Sequence, residues 1–158
     1  MAFLVIFAAL QLTWQGLRDR ALEDFIVHTC TVQPAAFLAN LLTPSVHAQA
    51  VHSSIRAPGG GLNILNGCDG LEAMFLLIAA FAVAPGFWRP RLVGLAVGIP
   101  IVFLVNQARI LGLFYAYRAD HALFDPLHAT VAPIVVILLV AGYFYTWLGY
   151  AQRLTVTA

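Results

Sequence analysis

Three long runs of apolar residues constrain the fold of this chain more than any other feature. They extend from Leu71 to about Phe87, from Leu92 to about Tyr117, and from about Thr130 to Tyr150. About 20 helical residues cross the hydrocarbon core of a bilayer, where a chain must pair its own backbone polar groups. We therefore predict that each run forms a transmembrane helix.

The amino-terminal segment is a shorter apolar run. It lacks the basic start and the small-residue cleavage site of a signal peptide, so we interpret residues 1–17 as a further, first span. Only 9% of the 158 residues are charged, against about 25% in soluble domains, and the mean hydropathy is +0.87. The predicted fold is all-α: a single integral membrane helical bundle of about four transmembrane helices with a small extracytoplasmic subdomain.

The rest of the chain divides around these spans. Residues 18–66 are more polar and are predicted to form the extracytoplasmic segment, followed by core helices over 67–150 and a cytoplasmic tail over 151–158. Within the polar segment, Ala35–Leu42 is predicted to be a short amphipathic helix that ends at Thr43-Pro44. The runs VHSSIR and LNIL, separated by PGGG, predict a β-hairpin.

The arginines indicate how the bundle is oriented. The short loop with Arg89 and Arg91 and the tail with Arg153 contain no acidic residue, so the positive-inside rule places both in the cytoplasm. Residues 18–70 and 118–128 then face outward, and all seven acidic residues fall there or at the border. No basic block interleaved with aromatic residues is present, so nucleic acid is not an expected partner.

Three reactive side chains on different helices are predicted to lie at one depth. Cys68, Arg109 and His128 are each 18 to 20 residues along their helix from the predicted cytoplasmic border. At 1.5 Å per residue they lie roughly 27–30 Å away, at the outer membrane edge. A thiolate is a nucleophile, an imidazole can take the thiol proton, and a guanidinium can bind an oxyanion. We therefore predict a catalytic site here.

Two further residues are predicted to contribute to substrate binding. Asn106 lies three residues before Arg109, on the same helical face, so the two side chains can share one polar target. Glu72 lies four residues after Cys68 and therefore faces the same side of its helix. Asp69 and Glu72 also have the spacing of a helix-capping box.

At these residues the sequence resembles the exosortase/archaeosortase family of membrane-embedded cysteine transpeptidases. The matching pieces are NGCDGLEAM around Cys68, NQARILGLF around Arg109, and His128 at the start of the last helix. They occur in the family's order, the resemblance covers about Leu62 to Trp147, and it is greatest to exosortase H.

The resemblance implies a sortase-like reaction in the inner membrane of a Gram-negative bacterium, at a site that faces the periplasm. The substrates would be secreted proteins with a C-terminal signal made of a short motif, a transmembrane helix and a basic tail. Cys68 would form a thioester, His128 would act as acid and base, and Arg109 would stabilise the oxyanion, with Asn106 in a supporting role. An acceptor nucleophile of unknown identity would release the product. No cofactor and no metal are implied.

Two other functions fit parts of the sequence. A non-enzymatic membrane assembly subunit would use its polar residues for internal pairing, and it predicts that Asp120 or Asp125 neutralises Arg109. A thiol oxidoreductase would use Cys30 and Cys68, which can also form a disulfide, although they lack CxxC spacing. A metal site is a weaker alternative because its residues match no tight ligand pattern: Asp120, His121, Asp125 and His128.

The predicted orientation can be tested by labelling single cysteine probes in a background without other cysteines. A membrane-impermeant thiol reagent added from outside should label probes in residues 45–65 but not a probe at residue 89. The opposite sidedness would contradict the topology.

Overall fold

A computed structural model describes residues 1–17, 22, 24–64 and 68–156, and side chains as far as residue 153. Asn66 and Gly67 of the cysteine motif, and the predicted segment boundaries at residues 18 and 66, lie outside this part. The helical elements are α1 (Ala2–Leu17), a first π-helical segment (Phe25–Val32), α2 (Gln33–Leu42), α3 (Leu71–Val83), α4 (Trp88–Ala119), α5 (His121–Pro126), a second π-helical segment (Leu127–Val131) and α6 (Ala132–Val156). The strands are β1 (Gln49–Val51), β2 (Ser54–Ala57) and β3 (Gly60–Asn63), preceded by the 3₁₀ turn Pro44–Val46.

The predicted all-α membrane bundle is confirmed. Three described helical stretches are long and apolar enough to cross a membrane: Phe25–Leu42, Trp88–Ala119 and His121–Arg153. The last two contain the predicted spans that start at Leu92 and Thr130. The first lies in the segment that we predicted to be extracytoplasmic, where we expected only a short helix over Ala35–Leu42. The helical stretch there is longer than this prediction and apolar enough to cross a membrane.

The other two predicted spans form shorter helices. Helix α1 has 16 residues and α3 has 13, and both are apolar. Helix α3 ends at Val83 rather than at Phe87, because Ala84 precedes Pro85 and adopts an extended conformation, with φ −60° and ψ 141°. The proline ring disfavours the helical conformation of the residue before it. At 1.5 Å per residue, α3 is about 20 Å long.

The polar stretch 118–128, which we predicted to lie outside the spans, is largely helical. Helix α4 continues to Ala119, and α5 begins directly after Asp120. Asp120 is the N-cap of α5, and its carboxylate accepts a hydrogen bond of 2.9 Å from the backbone N–H of Ala122. This cap begins a new helix, so the polar residues of the stretch are compatible with helical structure.

The predicted hairpin is present and is part of a three-stranded antiparallel sheet. Strands β2 and β3 pair across the Pro58-Gly59 turn, with Ile55 opposite Leu62. Strand β1 pairs with the other edge of β2, which the sequence did not predict. Gly59 has φ +85°, a conformation that glycine adopts without strain at the second central position of a turn.

The chain folds into two compact units. The first consists of described residues within Met1–Leu17, Gly70–Val105 and Val135–Ala158. In it α1 packs against α3, and an aromatic group surrounds Phe81, whose ring centroid lies 4.5 Å from that of Trp147 and 5.2 Å from that of Phe144. Gly94 of α4 lies against Phe81 and Trp147, where a side chain would find no space. Close helix packing in membranes depends on such small residues.

The second unit consists of described residues within Arg18–Asp69 and Asn106–Ile134. Its core includes the fully buried side chains of Val32, Ile55 and Phe114, with the alanine face of α2 packed around them. Asn40 of α2 fixes the chain before β1, because its amide both donates to and accepts from the backbone of Ala48. This unit contains all the residues of the candidate site described below except Glu72.

The packing at Gly94 generates a stability prediction. A Cβ at Gly94 would lie 2.5 Å from Cε1 of Phe81, whereas one at Gly112 of the same helix would meet open space. Gly94→Ala should therefore lower the free energy of unfolding by about 1–3 kcal/mol through overpacking. Gly112→Ala is the matched control, and it should be neutral or stabilising by up to about 1 kcal/mol. Thermal unfolding in detergent measures both, and equal midpoints for the two variants would contradict the packing.

Candidate active site

The structure brings Cys68, Arg109 and His128 together around one sulfur atom. Cys68 lies between β3 and α3, Arg109 is on α4, and His128 is in the second π-helical segment. The Cys68 Sγ atom is 2.8 Å from Nε2 of His128. Nη2 of Arg109 donates to the same sulfur at 3.6 Å. These residues therefore meet as the sequence predicted, while their catalytic roles stay predictions.

The backbone around Cys68 turns sharply into α3. Gly70 is the N-cap of this helix and has φ +86°, a left-handed conformation that favours glycine. Gly70 rather than Asp69 occupies the N-cap position, and the capping box of Asp69 and Glu72 stays a prediction. Cys68 is only 6% exposed. Its reactivity therefore depends on the protein groups next to the sulfur.

Asn106 holds the Cys68 backbone in place. Its Nδ2 donates to the Cys68 carbonyl oxygen at 3.2 Å, and the residue is only 2% exposed. Its Oδ1 is also buried and has no hydrogen-bond partner among the described residues. A buried acceptor without a partner costs free energy, so this oxygen has an unused capacity to accept a hydrogen bond.

An aromatic ring also contacts His128. The ring of Phe124 stacks on the imidazole with centroids 5.2 Å apart and planes 25° apart. Sequence reasoning missed Phe124, because residues 118–128, which we predicted to face outward, are mixed in polarity and nothing in their composition singles out one ring. Its spacing of four residues from His128 was the available signal, since residues four apart share a helix face.

Gln107 is a second residue that sequence reasoning missed. It is 2% exposed, and its Nε2 donates to the backbone carbonyl of Thr31 at 3.4 Å. Thr31 is in the first π-helical segment, so Gln107 connects α4 to that segment next to the position that holds the Cys68 backbone. An adjacent pair of amides, Asn106-Gln107, inside an apolar run was the sequence signal.

The other predicted residues have different surroundings. Glu72 lies in the first turn of α3, in the first unit, and its side chain is exposed. Cys30 is exposed in the first π-helical segment, and no disulfide joins it to Cys68. Among the described residues, no three histidine, cysteine, aspartate or glutamate side chains are grouped closely enough to bind a metal ion.

Two groups that can carry positive charge contact the sulfur, the His128 imidazole and the Arg109 guanidinium. If His128 takes the thiol proton, Cys68 becomes a thiolate between an imidazolium and a guanidinium. Both are positive groups of the kind that stabilise thiolates in reactive cysteines. A nucleophile next to its base, with a cation nearby, is an arrangement suited to acyl transfer.

A family model described as transmembrane exosortase (Exosortase_EpsH) matches residues 1–146, a range that contains all three residues around the sulfur. No curated protein and no solved structure matches the chain.

Alkylation of Cys68 tests this geometry directly. With Cys30→Ser, Cys68 is the single remaining thiol of the chain, which has two cysteines. Because the thiolate is the reacting form, His128→Ala should slow reaction with iodoacetamide at neutral pH by about tenfold or more. Mass spectrometry of the protein in native membranes measures the rate. His121→Ala is the control for loss of a histidine. Equal alkylation rates in the parent, His128→Ala and His121→Ala proteins would contradict the prediction that His128 activates the Cys68 thiol.

Proposed function

The chain belongs to the transmembrane exosortase family, and we propose that it is a membrane-embedded cysteine transpeptidase. The observation on which the proposal rests is the grouping around Cys68 Sγ, with the imidazole at 2.8 Å and the guanidinium at 3.6 Å. The family match and the apolar helices establish a multi-pass membrane protein. The substrate, the reaction steps and the orientation in the membrane are part of the proposal.

In the proposed first step, Cys68 attacks the carbonyl carbon of a peptide bond in the substrate. His128 Nε2 takes the proton from the thiol, and the new C–S bond forms as the carbonyl oxygen becomes negatively charged. The tetrahedral intermediate then collapses: the C–N bond breaks, and the leaving amine takes the proton from His128. The product is a thioester between Cys68 and the substrate's new carboxyl end.

In the second step, an acceptor amine attacks the thioester carbonyl. His128 takes a proton from this amine and returns it to the departing sulfur, which restores the Cys68 thiol. If water attacks instead, the same site hydrolyses the substrate. The chemistry of the two steps is symmetric, so one base next to one sulfur serves both.

Arg109 and Asn106 are proposed to stabilise the charged and extended parts of the substrate. The Arg109 guanidinium has a planar set of N–H donors, and it lies close enough to the sulfur to reach an oxygen on the attacked carbon. The buried Oδ1 of Asn106 supplies an acceptor for a substrate backbone N–H, while its Nδ2 holds the cysteine loop. Glu72 remains a weaker substrate-binding proposal, because its side chain is exposed in the first turn of α3.

We propose secreted proteins as substrates, each with a C-terminal signal of a short motif, a transmembrane helix and a basic tail. Family membership supports this substrate class. We also propose a location in the bacterial inner membrane with the site facing the periplasm. The resemblance to exosortase H narrows the proposal to that subgroup. No cofactor enters the proposed reaction.

The main alternative is a non-enzymatic membrane assembly subunit. It predicts that Asp120 or Asp125 neutralises Arg109, but neither of these exposed carboxylates forms an ion pair among the described residues. Asp120 instead caps α5, and Arg109 contacts the Cys68 sulfur. The oxidoreductase alternative needs a partner thiol for Cys68, and Cys30 is not bonded to it. Both observations favour the transpeptidase.

Substitution of the nucleophile separates the enzyme from the assembly subunit. Cys68→Ser keeps the shape of the side chain, but a hydroxyl is scarcely ionised and attacks an amide much more slowly than a thiolate. We expect loss of processing by at least about 10²-fold. The assay follows the mobility shift of a co-expressed substrate that bears the C-terminal signal, with the abundance of the variant checked by blot.

Two further variants sharpen this experiment. Arg109→Lys keeps the charge but loses the planar fork, so processing should still fall by about tenfold or more. Cys30→Ser is the matched control for loss of a thiol, and it should process the substrate normally. Full processing by Cys68→Ser at normal abundance would refute the cysteine mechanism and support the assembly subunit.

A further inference from the structure

We propose that Phe124 is a positioning residue that orients the His128 imidazole toward Cys68. The inference rests on the proposed function and extends it to a residue that neither the sequence motifs nor the family resemblance singles out. The starting observation is that the imidazole contacts two groups: the Cys68 sulfur at Nε2 and the Phe124 ring, which stacks on it.

A base that must meet a sulfur at one ring nitrogen needs something to fix its ring. In cysteine–histidine pairs a third group commonly does so by a hydrogen bond to the other nitrogen. Within the described part of the chain, Nδ1 of His128 has no such partner. The imidazole would otherwise rotate readily, because the torsion between Cβ and the ring has broad minima.

The Phe124 ring supplies this constraint through contact. Its plane lies within 25° of the imidazole plane, so rotation of the imidazole out of the stack would lose the face-to-face contact. Phe124 precedes His128 by four residues, which places both rings on one side of the helical stretch formed by α5 and the second π-helical segment. The local helix therefore brings the two rings together.

Phe124 is itself fixed by a second ring. Tyr117 of α4 meets it edge-on, with centroids 5.4 Å apart and planes 81° apart. Tyr117 in turn lies next to Gly60 of β3, where an added Cβ would be 3.4 Å from its ring. A continuous series of contacts thus runs from the sheet through Tyr117 and Phe124 to His128. Aromatic pairs in this geometry contribute beyond the area that they bury.

The experiment uses the full chain with Cys30→Ser, so that iodoacetamide reports only on Cys68. Phe124→Leu keeps the apolar volume but removes the ring, and it should slow alkylation by about 3- to 10-fold. Phe124→Tyr keeps the ring and should react at the rate of the parent. The matched control is Phe144→Leu, which removes a comparable ring from the first unit and should leave the rate unchanged.

The direction of the change distinguishes positioning from packing. If Phe124 only filled space, leucine would fill most of that space, and alkylation would be unchanged or, where the packing loosens, faster. A faster or unchanged rate in Phe124→Leu therefore overturns the proposal. Should this variant fail to accumulate, Tyr117→Leu removes the support of Phe124 without changing the stacked pair. It should slow alkylation less than about tenfold, and a parental or faster rate overturns the proposal in that case.

The failure of this inference and that of the proposed function give different results. If His128→Ala leaves alkylation unchanged, the base itself is refuted, and with it the reaction. If His128→Ala slows alkylation but Phe124→Leu does not, only the positioning role is wrong. Processing of the co-expressed substrate should follow the same order of variants as the alkylation rate.

Discussion

The second unit depends on the contact of one buried sulfur with an imidazole and a guanidinium. Cys68 lies on the segment after the sheet, Arg109 on α4, and His128 in a π-helical segment, so three parts of the chain must meet within 4 Å. An arginine in an apolar helix is costly unless it has a polar partner. The contact with the sulfur provides such a partner, and it lies within a core formed by both helix and sheet residues.

The candidate residues were predictable because polar side chains in apolar helices are rare. Counting residues along each predicted helix brought Cys68, Arg109 and His128 to one depth, and the structure places them in contact. The hairpin was predictable from its turn residues, Pro58 and Gly59. By contrast, α4 belongs to the first unit as far as Val105 and to the second unit from Asn106 onward. This division follows from tertiary contacts, which no local pattern in the sequence indicates.

The features that sequence reasoning missed have physical explanations. A π-helix is defined by hydrogen bonds to the fifth preceding residue, and side-chain composition hardly indicates it. The stretch around Asp120 looked polar, yet one capping carboxylate was enough to restart a helix there. A left-handed Gly70 occupies the N-cap of α3, and spacing alone did not indicate which residue would precede this helix. Single local interactions thus determined where these elements begin.

The burial of Cys68 has a consequence for its oxidation. The bacterial periplasm oxidises thiols, and an exposed reactive thiolate there would be converted to a disulfide or a sulfenic acid. In the location that we propose, a thiol that is only 6% exposed is shielded from the bulky proteins that exchange disulfides. An extended peptide is narrower than a folded oxidase. Burial alone thus limits disulfide exchange at Cys68, and it protects the thiol that we propose as the nucleophile without a reductant dedicated to it.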